Sequence, residues 1–409
     1  MNDDTFELEL TAMAHGGSAL GRHSGKTIFV PFTIPGEVIT GRIVEDKGRV
    51  AFAEGITLLE ASADRVFPAC AHFGPGKCGR CQWQHIAYPA QLLLKQDVLA
   101  DQLERIGGFS DVEIAPVIPS PRQWGYNHQI TLQVQDGVPG FKRADGLGIH
   151  VIDECHIMHP ALLELLQTLD LDFTALTQMT LRIGSDGVLM LIISTADDNA
   201  PELHTDLPLS INLLLSDNEP VNLIGDSHTR YTIAGRNFRV TAGSGFRANI
   251  AQLEALAAVV LEMLNLRGSE SVLDLYAGVG FFSAFIAERT QLVTLIESYP
   301  PAVTDADENL VDYEHVDVIE GAVERVLPEL DDSYHAAVLD PPDNGLSTDA
   351  IDLLGASNLP RLVYVSSDPA TLARDGKRLD AQGFHLEFVQ PLDLAPHTYH
   401  IDSVALFIR

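Results

Sequence analysis

The stretch SVLDLYAGVG, residues 271–280, decides the fold of the C-terminal part of this chain. An apolar run reaches Asp274 and Leu275, and a turn with glycines at positions 278 and 280 then leads into a helical segment. Glycines at such a turn allow a ligand to approach the backbone and the N-terminus of the helix. Glycines also serve tight turns that bind nothing, so the pattern leaves a purely structural role open.

Six further apolar runs follow, and helical segments separate most of them: LVTLIE, VDVIEG, HAAVLDPP, RLVYVSSD, HLEFVQPLDL and SVALFIR. Strands that alternate with helices predict a doubly wound α/β domain with a mainly parallel sheet over residues 246–409. Ligands of such sheets bind at the carboxyl ends of the strands. Glu297 ends the second run and Asp340 ends the fourth. In nucleotide-binding sheets of this kind, an acidic side chain at the end of the second strand binds a pair of ribose hydroxyls. A plain strand-ending turn also explains Asp340.

The rest of the chain divides into two regions. Residues 1–62 contain short strands separated by Gly and Pro, which predicts a small β-barrel. Residues 63–245 form a middle domain in which most segments alternate as strands. A helix in this domain is predicted to begin at Tyr88-Pro89, to end at Gly107-Gly108 and to bury one apolar face; that face comprises Leu92, Leu99, Leu103 and Ile106.

All four cysteines of the chain lie in the middle domain. Cys70, Cys78 and Cys81 share one glycine-rich loop, and Cys155 follows much later. Three thiolates from one loop and a fourth from elsewhere are typical of iron–sulfur sites. The C-x2-C spacing with a later cysteine is also a zinc pattern, and four unrelated buried thiols are the third possibility.

Composition indicates a soluble globular protein of two or three domains, with 46% hydrophobic residues in 409. The sequence contains no apolar run near the ~18 residues of a membrane span, and the acidic start is unlike a signal peptide. With cysteines at metal spacing, these features predict a cytoplasmic protein. The formal net charge of −31 predicts repulsion of nucleic acid unless positive charge is concentrated in one groove, and a solubility or salt-adaptation signature of the source organism is the alternative explanation of the charge.

Taken in order, these motifs resemble those of the S-adenosylmethionine-dependent RNA uracil-5-methyltransferases over essentially the full length. The N-terminal region resembles their TRAM domain, an OB-like β-barrel, in HGGSALGR and FVPFTIPGEV. The cysteine loop resembles their 4Fe-4S segment in CGRCQWQHIAYPAQLLLK, with two extra residues between the first two cysteines. The C-terminal region matches their class I methyltransferase motifs in VLDLYAGVGFFS, LDPPDNGL, YVSSDPATLARD and PHTYHIDSVAL.

The resemblance implies a 4Fe-4S cluster bound by the four cysteines, S-adenosyl-L-methionine as the cofactor, and rRNA or tRNA as the partner. In that family a cysteine thiolate adds to uracil C6, C5 takes the methyl group, and a carboxylate removes the C5 proton. The cofactor residues keep their family types at five positions: Tyr276, Gly278, Gly280, Glu297 and Asp340.

Other site positions depart from the family pattern. The nucleophilic cysteine corresponds to Ser367, the catalytic glutamate to Asp402, and a cofactor-binding glutamine to Arg247. Two family arginines correspond to Asn127 and Asp343.

A serine hydroxyl needs a strong adjacent base, whereas a thiol ionises in part at neutral pH. His400 and Asp402 are the candidates for that base, and an ordinary loop serine is the alternative. Three functions stay open: a uridine methyltransferase, a catalytically inactive or repurposed homologue that binds RNA or cofactor, and a methyltransferase for another substrate.

Overall fold

The computed structural model describes residues 5–203, 205–330 and 333–409. Their strands form a closed barrel, a seven-stranded sheet, a two-stranded sheet and an eight-stranded sheet. The expected combination of an N-terminal β-barrel with a C-terminal α/β domain is confirmed. Within the described ranges, every helix is too short or too polar to cross a membrane.

The barrel consists of five strands in the order β1-β2-β3-β5-β4. They are β1 (Phe6–Met13), β2 (Ala19–His23), β3 (Lys26–Val30), β4 (Val38–Asp46) and β5 (Val50–Glu60). Alternation in β1 buries Leu8 and Leu10 and exposes Glu7 and Glu9, as a sheet with one face on a core requires. The barrel core continues into Trp83 of the cysteine loop.

The predicted helix at Tyr88 exists and runs as α1 (Tyr88–Gln102) into a π-helical turn, Leu103–Gly107. Its buried face differs in part from the expectation. Leu99 and Leu103 are buried, but Leu92 is only partly buried, and the polar residues Gln91 and Lys95 are fully buried instead. A two-residue strand, β6 (Glu113–Ile114), follows.

The seven-stranded sheet of the middle region has the order β13-β12-β11-β10-β7-β8-β9. The strands of this sheet are β7 (Gln129–Gln135), β8 (Val138–Lys142), β9 (Ile149–His150), β10 (Leu176–Ile183), β11 (Leu189–Thr195), β12 (Leu209–Leu214) and β13 (Pro220–Ile224). Helix α2 (Pro160–Thr168) lies between β9 and β10. A separate hairpin follows, with strands β14 (His228–Ile233) and β15 (Arg236–Thr241). Cys155 lies between β9 and α2, so this sheet delivers the fourth cysteine to the loop that carries the other three.

All seven apolar runs of the C-terminal domain form strands. The elements are α3 (Leu253–Leu264), β16 (Ser271–Leu275), α4 (Phe281–Ile286), β17 (Leu292–Glu297), α5 (Pro300–Asn309), β18 (Val316–Glu320), α6 (Val323–Val326), β19 (Ala336–Leu339), α7 (Thr348–Ala356), β20 (Arg361–Ser366), α8 (Pro369–Ala381), β21 (His385–Leu392) and β22 (Asp402–Ile408). Short 3-10 turns occur at Phe173–Ala175, Ile250–Gln252, Ala287–Arg289 and Leu327–Glu329. The sheet order is β18-β17-β16-β19-β20-β22-β21-β6.

The first five strands in this order are parallel, β22 is antiparallel to both β20 and β21, and β6 pairs in parallel with β21. Helices α3, α4 and α5 cover one face, while α1, α7 and α8 cover the other. The chain reverses its winding direction between β16 and β19, which places a crevice outside the carboxyl ends of these two strands.

Residues 88–118 belong to the middle region by sequence, but Ala90 and Val98 pack on the barrel core and the part from Leu99 onward packs on the C-terminal sheet. Leu99 and Leu103 share a core with Leu372 and Leu379 of α8, and β6 extends the sheet edge by pairing with β21.

Candidate functional site

The turn after β16 has an unusual backbone. Tyr276, Gly278 and Gly280 have φ angles of 61°, 56° and 76°, all in the left-handed region. A Cβ atom on Gly280 would lie 2.8 Å from Leu310 Cδ1, whereas one on Gly278 would meet nothing within 4 Å. Gly280 is therefore required for packing under the turn, and the backbone at Gly278 faces open space. Tyr276 adopts the same conformation with a side chain, which is a strained arrangement typical of functional sites.

Glu297 closes this turn from the neighbouring strand. One carboxylate oxygen accepts a hydrogen bond from the Gly278 amide at 2.8 Å, and the other accepts from the Ser298 and Tyr299 amides, both at 2.7 Å. The side chain is only partly buried, so its carboxylate fixes the turn and still borders the crevice.

Asp274 lies beneath the turn and is fully buried. One oxygen accepts from the backbone amide and hydroxyl of Ser283, at 3.0 and 2.7 Å, and the other has no hydrogen-bond partner among the described residues. Burial raises the pKa of Asp274 to about 7, and the negative charge of Asp340 adds to the shift. The carboxyl group therefore titrates near neutral pH.

Arg247 connects two acidic residues of the crevice. Its guanidinium donates two parallel hydrogen bonds to Asp340, both at 2.7 Å, and its Nε lies 3.7 Å from Asp402 Oδ1. Burial alone lowers the pKa of Arg247, but Asp340 and Asp402 outweigh it and the net shift is upward. Burial raises the pKa of Asp402 to about 6 against the opposing effects of Arg247 and Lys95. Asp402 is thus a proton acceptor of moderate strength.

Ser367 follows β20, and its hydroxyl donates a hydrogen bond to Asp343 Oδ1 at 2.8 Å. No hydrogen bond joins Ser367 to His400 or Asp402 in the described part of the chain. His15 Nε2 of the barrel lies 3.0 Å from Oδ2 of Asp368, the residue after Ser367, so the barrel contacts the loop that presents Ser367.

These side chains line one open cleft with a volume of about 630 Å³. Seven of the eight residues that the sequence analysis proposed for cofactor binding or catalysis line it: Arg247, Tyr276, Gly278, Glu297, Asp340, Ser367 and Asp402. The eighth, Gly280, lies behind the turn. Asn127 is buried and pairs with Met158 and Asn249.

The four cysteines line a second, small cavity between the loop and the seven-stranded sheet. All four are free thiols. Burial raises the pKa of Cys81 to about 12 and that of Cys155 to about 11, and neighbouring cysteines add to both shifts. Cys70 also lies within 4.8 Å of ligand atoms of Glu154 and His156.

Sequence reasoning missed the contact between the cysteine loop and the segment that precedes Asp402. The amides of Gln82 and Trp83 donate to the carbonyl of His397 at 3.1 and 3.0 Å. Gln91 accepts from the His397 amide, and its own amide lies 3.1 Å from His397 Nδ1. His397 has a φ of 65° and is buried. The sequence carries no signal for this contact, because Gln91 and Lys95 are two of several polar residues in α1.

A mainly parallel sheet with a glycine turn after β16, an acid at the end of β17 and a second acid at the end of β19 defines the methyltransferase class of α/β domains. No protein-family model matches the chain, but individual relatives and a solved structure do, and they agree with this class.

Two relatives extend over nearly the whole chain. An uncharacterized RNA methyltransferase of Halalkalibacterium halodurans is 31% identical over 446 residues, which cover 99% of this chain and 97% of that protein. An uncharacterized RNA methyltransferase of Streptomyces avermitilis is 30% identical over 423 residues, covering 98% of each. The chain therefore belongs to this family of RNA methyltransferases.

A solved structure shares the architecture. The tRNA (uracil-54, C5)-methyltransferase of Pyrococcus abyssi, in complex with S-adenosyl-L-homocysteine, superimposes with a TM-score of 0.75 at 25% identity. The match covers 98% of this chain and all of that one.

Proposed function

We propose that this protein binds S-adenosyl-L-methionine in the cleft and RNA beside it, and that it lacks the covalent uracil chemistry of the uracil-5-methyltransferases it resembles. Its relatives are named as RNA methyltransferases, and its structural neighbour is a tRNA uracil methyltransferase with S-adenosyl-L-homocysteine bound. Family membership supports methyl transfer to RNA. The Ser367 environment argues against the usual route to uridine.

The cofactor assignment follows from the cleft. The ribose hydroxyls of the cofactor would hydrogen-bond Glu297, and its amino-acid end would lie over the Gly278 turn. Carboxylates of Asp340 and Asp402 contact the Arg247 guanidinium, and the carboxylate of Glu297 lines the same cleft. Because Asp340 binds Arg247 through both oxygens, the guanidinium charge is offset, and a positive sulfonium can enter the cleft.

Uracil-5 methylation requires four balanced events. A nucleophile bonds to C6, C5 takes the methyl group from the sulfonium, a base removes the C5 proton, and the nucleophile leaves to restore the double bond. Asp402 is a suitable acceptor for that proton because its pKa is about 6. The event without a suitable group is the attack on C6, because Ser367 stands at the position of the nucleophile.

The hydrogen bond from Ser367 to Asp343 carries this proposal. A carboxylate is a weak base toward an alcohol, so the hydroxyl stays protonated, and the negative charge of Asp343 opposes formation of an alkoxide beside it. His400 would have to approach Ser367 to act as a stronger base. The protein therefore retains a proton acceptor for C5 without an activated nucleophile.

A second candidate function is methyl transfer to an atom that needs no covalent activation, such as an amine or ring nitrogen of RNA. Such a nucleophile attacks the methyl group directly and loses its proton to a base. Asp402, with its raised pKa, favours this candidate because it supplies that base without help from Ser367.

For the cysteine cavity we propose a 4Fe-4S cluster, with zinc as the alternative. The donor set fits: four free thiols converge on one cavity, and soft thiolates are the ligands that iron–sulfur clusters prefer. The cluster would join the loop of Cys70, Cys78 and Cys81 to the distant Cys155. Zinc would take four ligands in a tetrahedral arrangement, either the four thiolates or a set that includes His156, and no sulfide. Glu154 and His156 beside Cys70 suit zinc better than a cluster.

The test combines cofactor binding with chemical trapping. Calorimetry should detect binding of S-adenosyl-L-homocysteine, and Glu297→Ala should weaken it. RNA that contains 5-fluorouridine traps an enzyme covalently when a nucleophile adds to C6. The unaltered protein should form no adduct with S-adenosyl-L-methionine present, whereas Ser367→Cys should form one.

The matched control is Ser269→Cys, which introduces a thiol on the exposed loop before β16. It should give no adduct. Methylation of uridine C5 by the unaltered protein would refute the proposed loss of covalent chemistry. Absence of cofactor binding at millimolar ligand would refute the cofactor assignment.

A further inference from the structure

Three segments of this strongly acidic chain contain no aspartate or glutamate. The chain has 57 acidic residues in 409, which is one in about every seven. Residues 65–96, 114–135 and 394–401 have none. The first of these carries the cysteine loop, the second precedes and includes β7, and the third leads to Asp402.

The fold brings these three segments together. Amides of Gln82 and Trp83 from the first segment donate to the His397 carbonyl of the third, and the Tyr126 hydroxyl of the second donates to the Pro396 carbonyl at 2.9 Å. The Ser120 amide of the second donates to the Tyr88 hydroxyl of the first at 2.8 Å. Most of these contacts are buried, and the exposed residues around them are here named the acid-free face, after the composition of the three segments. It adjoins the cleft because Asp402, which lines the cleft, follows the third segment directly.

An aromatic platform lies on the acid-free face. The Trp124 indole is 38% exposed and stacks on the buried His397 ring, with 3.7 Å between ring centroids and an interplanar angle of 15°. The His397 ring is fixed in turn by Gln91. An aromatic ring with one face packed on the protein and apolar area exposed to water is well suited to stack on an unpaired nucleic-acid base.

Two arginines lie near this platform: Arg122 is two residues before Trp124, and Arg80 lines the same cavity as His156, whose ring is 5.7 Å from that of Trp124. Arg80 and Arg122 are exposed, and neither guanidinium has a carboxylate partner within the described ranges. Arg80 packs over the Phe141 ring at 5.7 Å, beside the cysteine cavity. Two acids from outside the three segments border the face: Glu154 accepts from the Ala71 amide and contacts His156, and Asp153 lies 2.6 Å from His72 Nε2. Unpaired guanidiniums in a chain of net charge −31 provide the concentrated positive charge that a polyanion requires.

We propose that the acid-free face is the docking surface for single-stranded RNA, with one base stacked on Trp124 and adjacent phosphates on Arg80 and Arg122. This inference rests on the proposed RNA partner. Charge complementarity selects the occupant, since the rest of the chain repels phosphate. The position of the face next to Asp402 leads the bound strand into the cleft.

Fluorescence anisotropy with labelled single-stranded RNA tests the inference. Trp124→Ala should weaken binding by roughly tenfold or more, the usual effect of losing one stacked base, while Trp124→Phe should stay within about threefold of the unaltered protein. Arg80→Gln and Arg122→Gln should each weaken binding and reduce the slope of log affinity against log salt by about one. Arg289→Gln, an exposed arginine on the C-terminal domain, is the matched control and should have no effect.

Calorimetry with S-adenosyl-L-homocysteine on every variant separates docking from folding, and that affinity should not change. If the unaltered protein binds no RNA, the proposed function itself fails. If it binds RNA and the Trp124, Arg80 and Arg122 variants bind equally well, only the docking surface is overturned. If Trp124→Ala also loses binding of S-adenosyl-L-homocysteine, its fold is damaged. The two arginine variants then test the docking surface, because replacement of an exposed side chain should not disturb the fold.

Discussion

Replacement of Lys95 by Met should release the segment that presents Asp402. The Lys95 ammonium is fully buried and donates to Asp393 Oδ1 at 2.7 Å, to the His400 carbonyl at 2.7 Å and to the Ala395 carbonyl at 3.1 Å. All three partners lie in the segment 393–401, about 300 residues later in the chain. One side chain of α1 thus fixes both ends of this segment.

The cost of this substitution follows from what it leaves behind. Asp393 is also fully buried, and its Oδ2 already has no hydrogen-bond partner in the described residues. Without the ammonium, a buried carboxylate is left uncompensated, which costs about 3–5 kcal/mol. Methionine approximates the volume of the lysine stem, so little of the loss comes from packing. Lys95→Met with Asp393→Asn removes both charges and should recover most of that energy.

Hydrogen exchange followed by mass spectrometry is the assay, because it reports opening of residues 393–401 directly. A local loss of 3–5 kcal/mol would raise exchange there by roughly 10²- to 4 × 10³-fold. Lys377→Met, which removes an exposed lysine of α8, is the control and should leave exchange unchanged. Protection in residues 393–401 equal to that of the unaltered protein would refute the view that the buried ion pair holds this segment.

Three further predictions concern the metal, the buried acid and the cofactor pocket. Anaerobically purified protein should contain about four irons with sulfide, and Cys155→Ser should lose them and unfold its middle region more easily; one zinc per chain without sulfide would contradict this. The pKa of Asp274 is about 7 in the folded protein and about 3.9 in the unfolded chain. Its contribution to the free energy of unfolding is therefore complete below pH ~4 and is lost as the pH rises through 7. Asp274→Asn should therefore gain up to about 4 kcal/mol relative to the unaltered protein between pH 4 and 8, measured by urea unfolding without cofactor; a pH-independent difference would show that Asp274 keeps an ordinary pKa. Arg247→Gln should increase the preference for S-adenosyl-L-methionine over its neutral product in calorimetry, because it removes the cation that opposes the sulfonium; an unchanged ratio would place the sulfonium away from Arg247.

Much of the fold was predictable because its signals are local. Each apolar run of the C-terminal domain is long enough to form a buried strand, and the strand that ends at Leu275 is followed by a turn whose glycines have positive φ, as their sequence position suggests. The helix over 253–264 buries the spaced apolar residues that its sequence presents. Local pattern and tertiary packing agree in these elements.

The failures occur where burial depends on a distant partner. Gln91 and Lys95 look like the solvent face of α1, and only the segment 393–401 makes them core residues. Strand β6 has two residues, too few to show any period. The Ser367–Asp343 contact joins two loops on neighbouring strands, and neither loop sequence predicts which side chain the hydroxyl meets. The sequence predicts which residues line the cleft but not which side chains hydrogen-bond to each other.

The distribution of charge connects the two proposed ligands. Glu297, Asp340, Asp343 and Asp402 make the cleft acidic around Arg247, which favours a cationic methyl donor and repels phosphate. RNA can then enter the cleft only as a neutral base, with its backbone held outside. The acid-free face satisfies that requirement, since it holds guanidiniums and an aromatic ring directly beside the acidic cleft. The two proposals together explain how a chain of net charge −31 would bind both ligands: the cation would bind among the acids, and the polyanion at the face formed by the three acid-free segments.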